Sequence, residues 1–189
     1  RIADGSTVSD YHVSEKNRTP VLFAVLADGI GGHKGGEVAA ELAGNHIMQS
    51  VARGDGKFSR HMIEQAVNEA SSAIAAHSAT NEDVKGMGST CATAWIIGDK
   101  LYTAYVGDSR IYLIRGARIQ QLTIDHTWVQ EAYEKGIITA EQIHGHPNQH
   151  VIRRYLGGIK LPEVDFRLRI DDGESDDEDQ VDVDHRGAP

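Results

Sequence analysis

A layered α+β fold with antiparallel sheet is the class this sequence predicts, and three observations carry it. Residues 21–27 form an unbroken apolar run of strand length. Two later segments repeat apolar residues at three- and four-residue spacing. Between Ser89 and Leu122, β-rich runs come in pairs around short glycine turns.

Taken in order, Val21-Leu22-Phe23-Ala24-Val25-Leu26-Ala27 is too short for a typical helix and stops at Asp28-Gly29, which fits a strand covered on both faces. From Glu37 to about Val51, Val38, Leu42 and, after a slip, Ile47 and Met48 fall near helical spacing. From Ser59 to His77, Met62, Ile63, Ala66, Val67, Ala70, Ala73 and Ile74 mark a clearer amphipathic helix. Ser89–Ile97 and Leu101–Val106 flank Gly98-Asp99-Lys100 as a hairpin, and Ile111–Ile114 with Arg118–Leu122 make a second around Gly116. Thr127 to Leu156 reads as short helical pieces broken by Gly136 and Pro147. Val164 to Ile170 alternates apolar and polar residues, as a half-exposed strand does.

Length and charge narrow the class of function. At 189 residues and 20.6 kDa the chain is one domain long and can bury roughly 70% of its unfolded surface, so it needs no disulfide to fold. No apolar run approaches the roughly 18 residues of a membrane span, and Arg1 opens no charged-then-apolar leader. The single Cys91 excludes an intrachain disulfide framework and fits a reducing compartment. Of the net charge of −9, residues 171–189 carry −8, which leaves a body, residues 1–170, with no basic footprint for nucleic acid. The acidic stretch is expected to be a disordered loop or tail.

Three motifs bear chemistry. Asp28-Gly29-Ile30-Gly31-Gly32-His33-Lys34-Gly35-Gly36 puts an acid at a strand end, before glycines that let backbone approach an ion or ligand. Lys34 is followed by Gly35 rather than Ser or Thr, so this is no Walker loop, and the dinucleotide spacing fails at Lys34. Taken alone it is equally a glycine-rich turn with a helix-capping acid. Val106-Gly107-Asp108-Ser109-Arg110 joins two strands and on its own reads as a bulged turn. Leu122-Thr123-Ile124-Asp125-His126-Thr127 leads into a helix that Asp125 or Thr127 would cap.

The three occur in one chain in this order. Residues 22–43, 86–114 and 122–158 together resemble successive motifs of the metal-dependent type 2C (PPM) Ser/Thr protein phosphatases, and the Asp28–His33 form resembles the bacterial branch. The resemblance runs from about Val21 to Ile170. It implies a four-layer α-β-β-α sandwich with antiparallel central sheets, incomplete here, and hydrolysis of phosphoserine and phosphothreonine in proteins by a metal-bridged water. It further implies two Mn²⁺ or Mg²⁺ ions with a third, weaker one, substrates made by a Ser/Thr kinase, and a cytoplasmic setting. By motif, Asp28 would bridge the two ions, the Gly29 carbonyl would bind one, and Asp108 would help hold the third. Residues from about Asp125 to Gly158 correspond to the family's mobile flap. Hard divalent ions take carboxylate and carbonyl oxygens, which is what these positions offer.

The chain also departs from the family pattern. Arg1-Ile2-Ala3-Asp4 resembles residues just beyond an acidic ligand of the first strand, and the later Asp-bearing motifs do not follow the acidic stretch. A fragment lacking both ends of a catalytic domain is therefore expected, with a non-catalytic phosphatase-like binding or regulatory module as the alternative. Asp4 or Asp10 would be the substitute acids nearest Asp28. Ile30 stands where some relatives place a general-acid histidine, and His33 is expected to serve its loop. His144, His146 and His150 match no zinc spacing and read as solvated. Cys91 reads as a buried inert thiol, Arg110 and Arg154 as anchors to carboxylates or carbonyls, and Trp95 and Trp128 as packing residues.

Overall fold

The computed structural model describes residues 7–12, 21–54 and 57–170, so the acidic stretch, Asp4 and the side chain of Asp10 lie outside the described residues. Among the described residues, nine strands and four α-helices follow in chain order: β1 (Thr7–His12), β2 (Val21–Ala27), β3 (Gly29–Ile30), α1 (Gly32–Ala52), α2 (Arg60–Thr80), β4 (Gly88–Ser89), β5 (Cys91–Ile97), β6 (Lys100–Val106), β7 (Tyr112–Arg115), β8 (Arg118–Gln121), α3 (Trp128–Glu134), α4 (Ala140–Ile143) and β9 (Asp165–Ile170). Five strands make one antiparallel sheet in the order β1-β2-β5-β6-β9, and β3-β4 and β7-β8 form two-stranded sheets. The α+β class holds. Of the four expected layers, the described residues build one large sheet and one helix pair.

That pair covers a single face of the sheet. Phe23 and Val25 of β2 and Trp95 of β5 are buried with Ala39, Ala43 and Ile47 of α1 and Ile63, Val67 and Ile74 of α2. Phe23 meets Trp95 edge-on at 5.4 Å, and Phe58 stacks on Tyr102 at 4.0 Å. Aromatic pairs at such distances contribute about 0.5–1.5 kcal/mol beyond the area they bury. The expectation that β2 is covered on both faces is corrected: Leu22 and its cross-strand neighbour Ile96 remain 41% and 39% exposed. A run of uniform hydrophobicity does not reveal whether its second face has a neighbour.

The first helix also begins earlier than Glu37. It starts at Gly32 after an N-cap Gly31 with φ of +118°, and takes Gly35 and Gly36 into its first turns. Glycine inside a helix costs about 1 kcal/mol relative to alanine. The compensation is contact, because a Cβ on Gly36 would lie 2.8 Å from the Gly29 carbonyl oxygen and one on Gly35 would lie 3.3 Å from the Met87 Cβ. The second helix agrees with its periodicity, and the Ser59 side chain caps it by accepting from the Met62 N–H at 3.3 Å. Both hairpins turn at glycines of positive φ, Gly98 and Gly116. The stretch expected to run unbroken from Ser89 is instead interrupted at Thr90, between β4 and β5.

Candidate active site

Asp28 leaves the end of β2, and its main chain is held from two sides. Its N–H donates to Thr90 Oγ1 at 3.1 Å, while its carbonyl accepts from the Thr90 N–H at 2.8 Å and from Ser89 Oγ at 3.1 Å. The break between β4 and β5 thus has a use: the residue that leaves the ladder grips the loop bearing Asp28. Gly29 pairs with Ser89 across β3-β4, packed against Gly36 so closely that neither admits a side chain.

The same threonine reaches the second motif. Thr90 Oγ1 lies 2.7 Å from Ser109 Oγ, so one hydroxyl joins the Asp28 loop to the Asp108 loop. Gly107 takes φ of +106°, and a Cβ there would lie 2.6 Å from Thr90 Cγ2. Asp108 is half-buried, and burial pushes its carboxyl pKa up, with the nearby Asp125 charge adding to the rise. Its own N–H, Arg110 and His150 oppose the change without cancelling it. A carboxylate held where ionisation is disfavoured is stabilised by a cation.

Arg110 is committed elsewhere. Its Nε and Nη2 donate to the Asp125 carboxylate at 2.9 and 2.6 Å, in the two-point geometry that makes guanidinium–carboxylate pairs directional. Thr127, rather than Asp125, caps α3 by accepting from the Gln130 N–H at 3.3 Å. Around these groups lies a cavity of about 570 Å³, lined by Asp108, Arg110, Asp125, Gln130, His144 and His150 among others. His146 stacks on Trp128 at 4.8 Å, so the three flap histidines do not converge. Among the described residues, no group of three or more His, Cys, Asp or Glu side chains is placed to hold a metal ion.

The structure therefore brings Asp28, Gly29 and Asp108 onto adjoining loops. Arg110 and Arg154 anchor carboxylates, the latter donating to Asp165 Oδ1 at 2.9 Å. Cys91 is buried, which pushes its thiol up to about 12. Asp10 sits opposite Ala24 on the β1-β2 ladder, displaced along the sheet from Asp28. The side chain of His33 lies outside the described residues. The motifs alone did not single out Thr90, Ser109, His126 and Asp165. Their partners are 11 to 62 residues away, and nothing local marks a hydroxyl or a strand acid as a bridge.

Likeness to known proteins agrees with this geometry. The protein phosphatase 2C family model matches residues 1–153, and the chain belongs to that family. The serine/threonine protein phosphatase PstP of Mycobacterium tuberculosis is 40% identical over 139 residues, covering 72% of this chain and 26% of PstP. The chain thus spans about a quarter of that relative's length. The Streptococcus agalactiae serine/threonine phosphatase structure superposes with a TM-score of 0.79 at 29% identity, over 90% of this chain and 69% of that one. The PstP catalytic domain in complex with two manganese ions superposes with a TM-score of 0.64 at 30% identity, over 87% and 75%. Among the described residues no helix is long and apolar enough to cross a membrane.

Proposed function

We propose that this chain carries much of the catalytic core of a metal-dependent protein Ser/Thr phosphatase, a cytoplasmic hydrolase acting on phosphoserine and phosphothreonine made by a Ser/Thr kinase. One observation supports this reading most: the Thr90 hydroxyl ties the Asp28 loop to the Asp108 loop, as a site built from two acids far apart in sequence requires. The donor set fits divalent ions in kind, being carboxylates and a backbone carbonyl rather than thiolates.

In this reading the Asp28 carboxylate and the Gly29 carbonyl would hold two Mn²⁺ or Mg²⁺ ions, Asp28 being shared between them, and Asp108 would help hold a third, weaker ion. When bound, the ions neutralise phosphate oxygens and acidify the attacking water. The chain's own residues supply position. Ser89 and Thr90 hold the main chain of Asp28 by three hydrogen bonds, which preorganises the strand end that its carboxylate leaves. Arg110 commits its two-point bond to Asp125, and together with His150 it offsets only part of the cost of ionising Asp108. The adjoining cavity offers hydrogen-bonding side chains to the polypeptide around the phosphorylated residue.

The test is Mn²⁺-dependent phosphate release from a phosphothreonine peptide by this chain, beside Asp28→Ala. Release should fall about 100-fold or more in the variant, the scale of removing a preorganised electrostatic group. Full activity in Asp28→Ala would overturn the assignment of that residue. No release by a chain that circular dichroism shows to be folded would favour the binding-module alternative.

A further inference from the structure

His126 is buried, at 3% exposure, and both of its ring nitrogens are engaged. Nδ1 accepts from the Gly107 N–H at 3.0 Å, and Nε2 faces Asp165 Oδ2 at 3.1 Å. Because an amide donates to Nδ1, the ring proton belongs on Nε2, directed at Asp165. The other carboxylate oxygen of Asp165 accepts from Arg154 Nη1. The ring lies nearly parallel to Tyr105, with centroids 5.2 Å apart. The backbone of His126 doubles the connection: its N–H donates to the Gly107 carbonyl at 3.0 Å, and its carbonyl accepts from the Arg153 N–H at 2.7 Å.

Gly107 is therefore bonded through both its N–H and its carbonyl to one residue. On the other side of Asp108, Ser109 is joined to Thr90. The frame grips Asp108 by its two neighbours. A polar ring this deeply buried is costly unless every hydrogen bond is made. Here the four bonds lead to three places: two to the Asp108 loop, one to the β9 edge, and one to Arg153 within the flap segment.

We infer that His126, held by Asp165, is a positioning residue that sets the Gly107–Asp108 backbone and so the presentation of the Asp108 carboxylate to a divalent ion. The inference rests on the reading of Asp108 given above. It assigns His126 no contact with substrate.

Two substitutions separate this role from simple packing. Asn at this position can place an oxygen where Nδ1 stands and so keep the Gly107 bond while losing Asp165. Gln can reach toward Asp165 but leaves the Gly107 N–H without its acceptor. Amide hydrogen exchange, followed by NMR on the metal-free full chain, reads the bond itself, and a Mn²⁺ binding isotherm reads its consequence. In H126Q, exchange at Gly107 should quicken about ten-fold, and the weaker class of Mn²⁺ sites should lose affinity by about the same factor. In H126N both should stay near the parent values.

Equal quickening in H126N and H126Q, or quickening spread over the whole core, would overturn the inference. So would a released Gly107 with an unchanged isotherm. If the parent chain takes up no Mn²⁺, the phosphatase reading of this chain fails, and the backbone-setting role is still decided by exchange at Gly107. Should H126Q not fold, H126L carries the test: it too leaves the Gly107 N–H without its acceptor, so unchanged exchange at Gly107 would overturn the inference and faster exchange confined to Gly107 would support it.

Discussion

Gly107 meets two local demands at once. Its φ of +106° is one that side chains resist, and a Cβ would press on Thr90 Cβ and Cγ2 at 2.7 and 2.6 Å. Thr90 cannot give way, because its hydroxyl and N–H are both tied to Asp28. Gly107→Ala is therefore expected to destabilise the chain by about 2–4 kcal/mol, from strain and overpacking together. Gly116 is the internal control. Its φ is +56° and nothing lies within 4 Å of the place a methyl group would take, so Gly116→Ala should cost only about 1–2 kcal/mol. Urea denaturation of both variants checks the difference, and equal losses would mean that the contact with Thr90 carries no weight. The glycine was legible as a turn residue within Gly-Asp-Ser-Arg. That its immediate neighbour in space is Thr90 was not, since the β5-β6 hairpin lies between them in the chain and only its register brings their ends together.

At the scale of elements, α2 shows where periodicity suffices. Ile63, Ala66, Val67, Ala70 and Ile74 form a buried stripe, as their spacing predicts. Ile74 also does something the stripe does not announce. A Cβ on Gly157 would collide with Ile74 Cγ2, so the helix face packs directly against the backbone at the end of the flap segment. The Gly157 N–H in turn donates to Ser71 Oγ at 3.0 Å. Ile74→Ala should cost about 2–5 kcal/mol, the range for emptying a closed core site, as a shift in the thermal or denaturant midpoint. α1 is the contrary case. Its first turns hold Gly32, Gly35 and Gly36, which local propensity places outside a helix, and at Gly36 the β3 backbone approaches too closely for a side chain.

Across the whole molecule, β9 closes one edge of the sheet against β6 and brings Asp165 under His126 and Arg154. Burial opposes ionisation of Asp165, but the hydrogen bond from His126 and the charge of Arg154 outweigh it, and its pKa lies below the usual carboxylate value. The sign follows directly. A carboxyl whose folded pKa is depressed stabilises the fold above its unfolded pKa of about 3.9, and that contribution is lost as pH falls through the folded value. Denaturant stability of the parent relative to Asp165→Asn should therefore be constant near neutrality and shrink below about pH 4. A gap that persists undiminished to about pH 2 would remove the ion pair from the account.

The α+β class, the two long helices, both hairpins and the three motifs were all legible in the chain, because each depends on short-range information: periodicity of burial, turn residues, and acids at strand ends. The anchoring roles of Arg110 and Arg154 and the inertness of Cys91 were legible in the same way. It took the folded arrangement to establish that β2 is half-exposed on one face, that α1 starts among glycines, and that Thr90, Ser109, His126 and Asp165 link the loops that bear the motifs. The reason is physical. A hydroxyl or an imidazole has no periodicity to betray its partner, and whether it faces water or a backbone amide depends on strand register and sheet order, which residues distant in the chain set jointly.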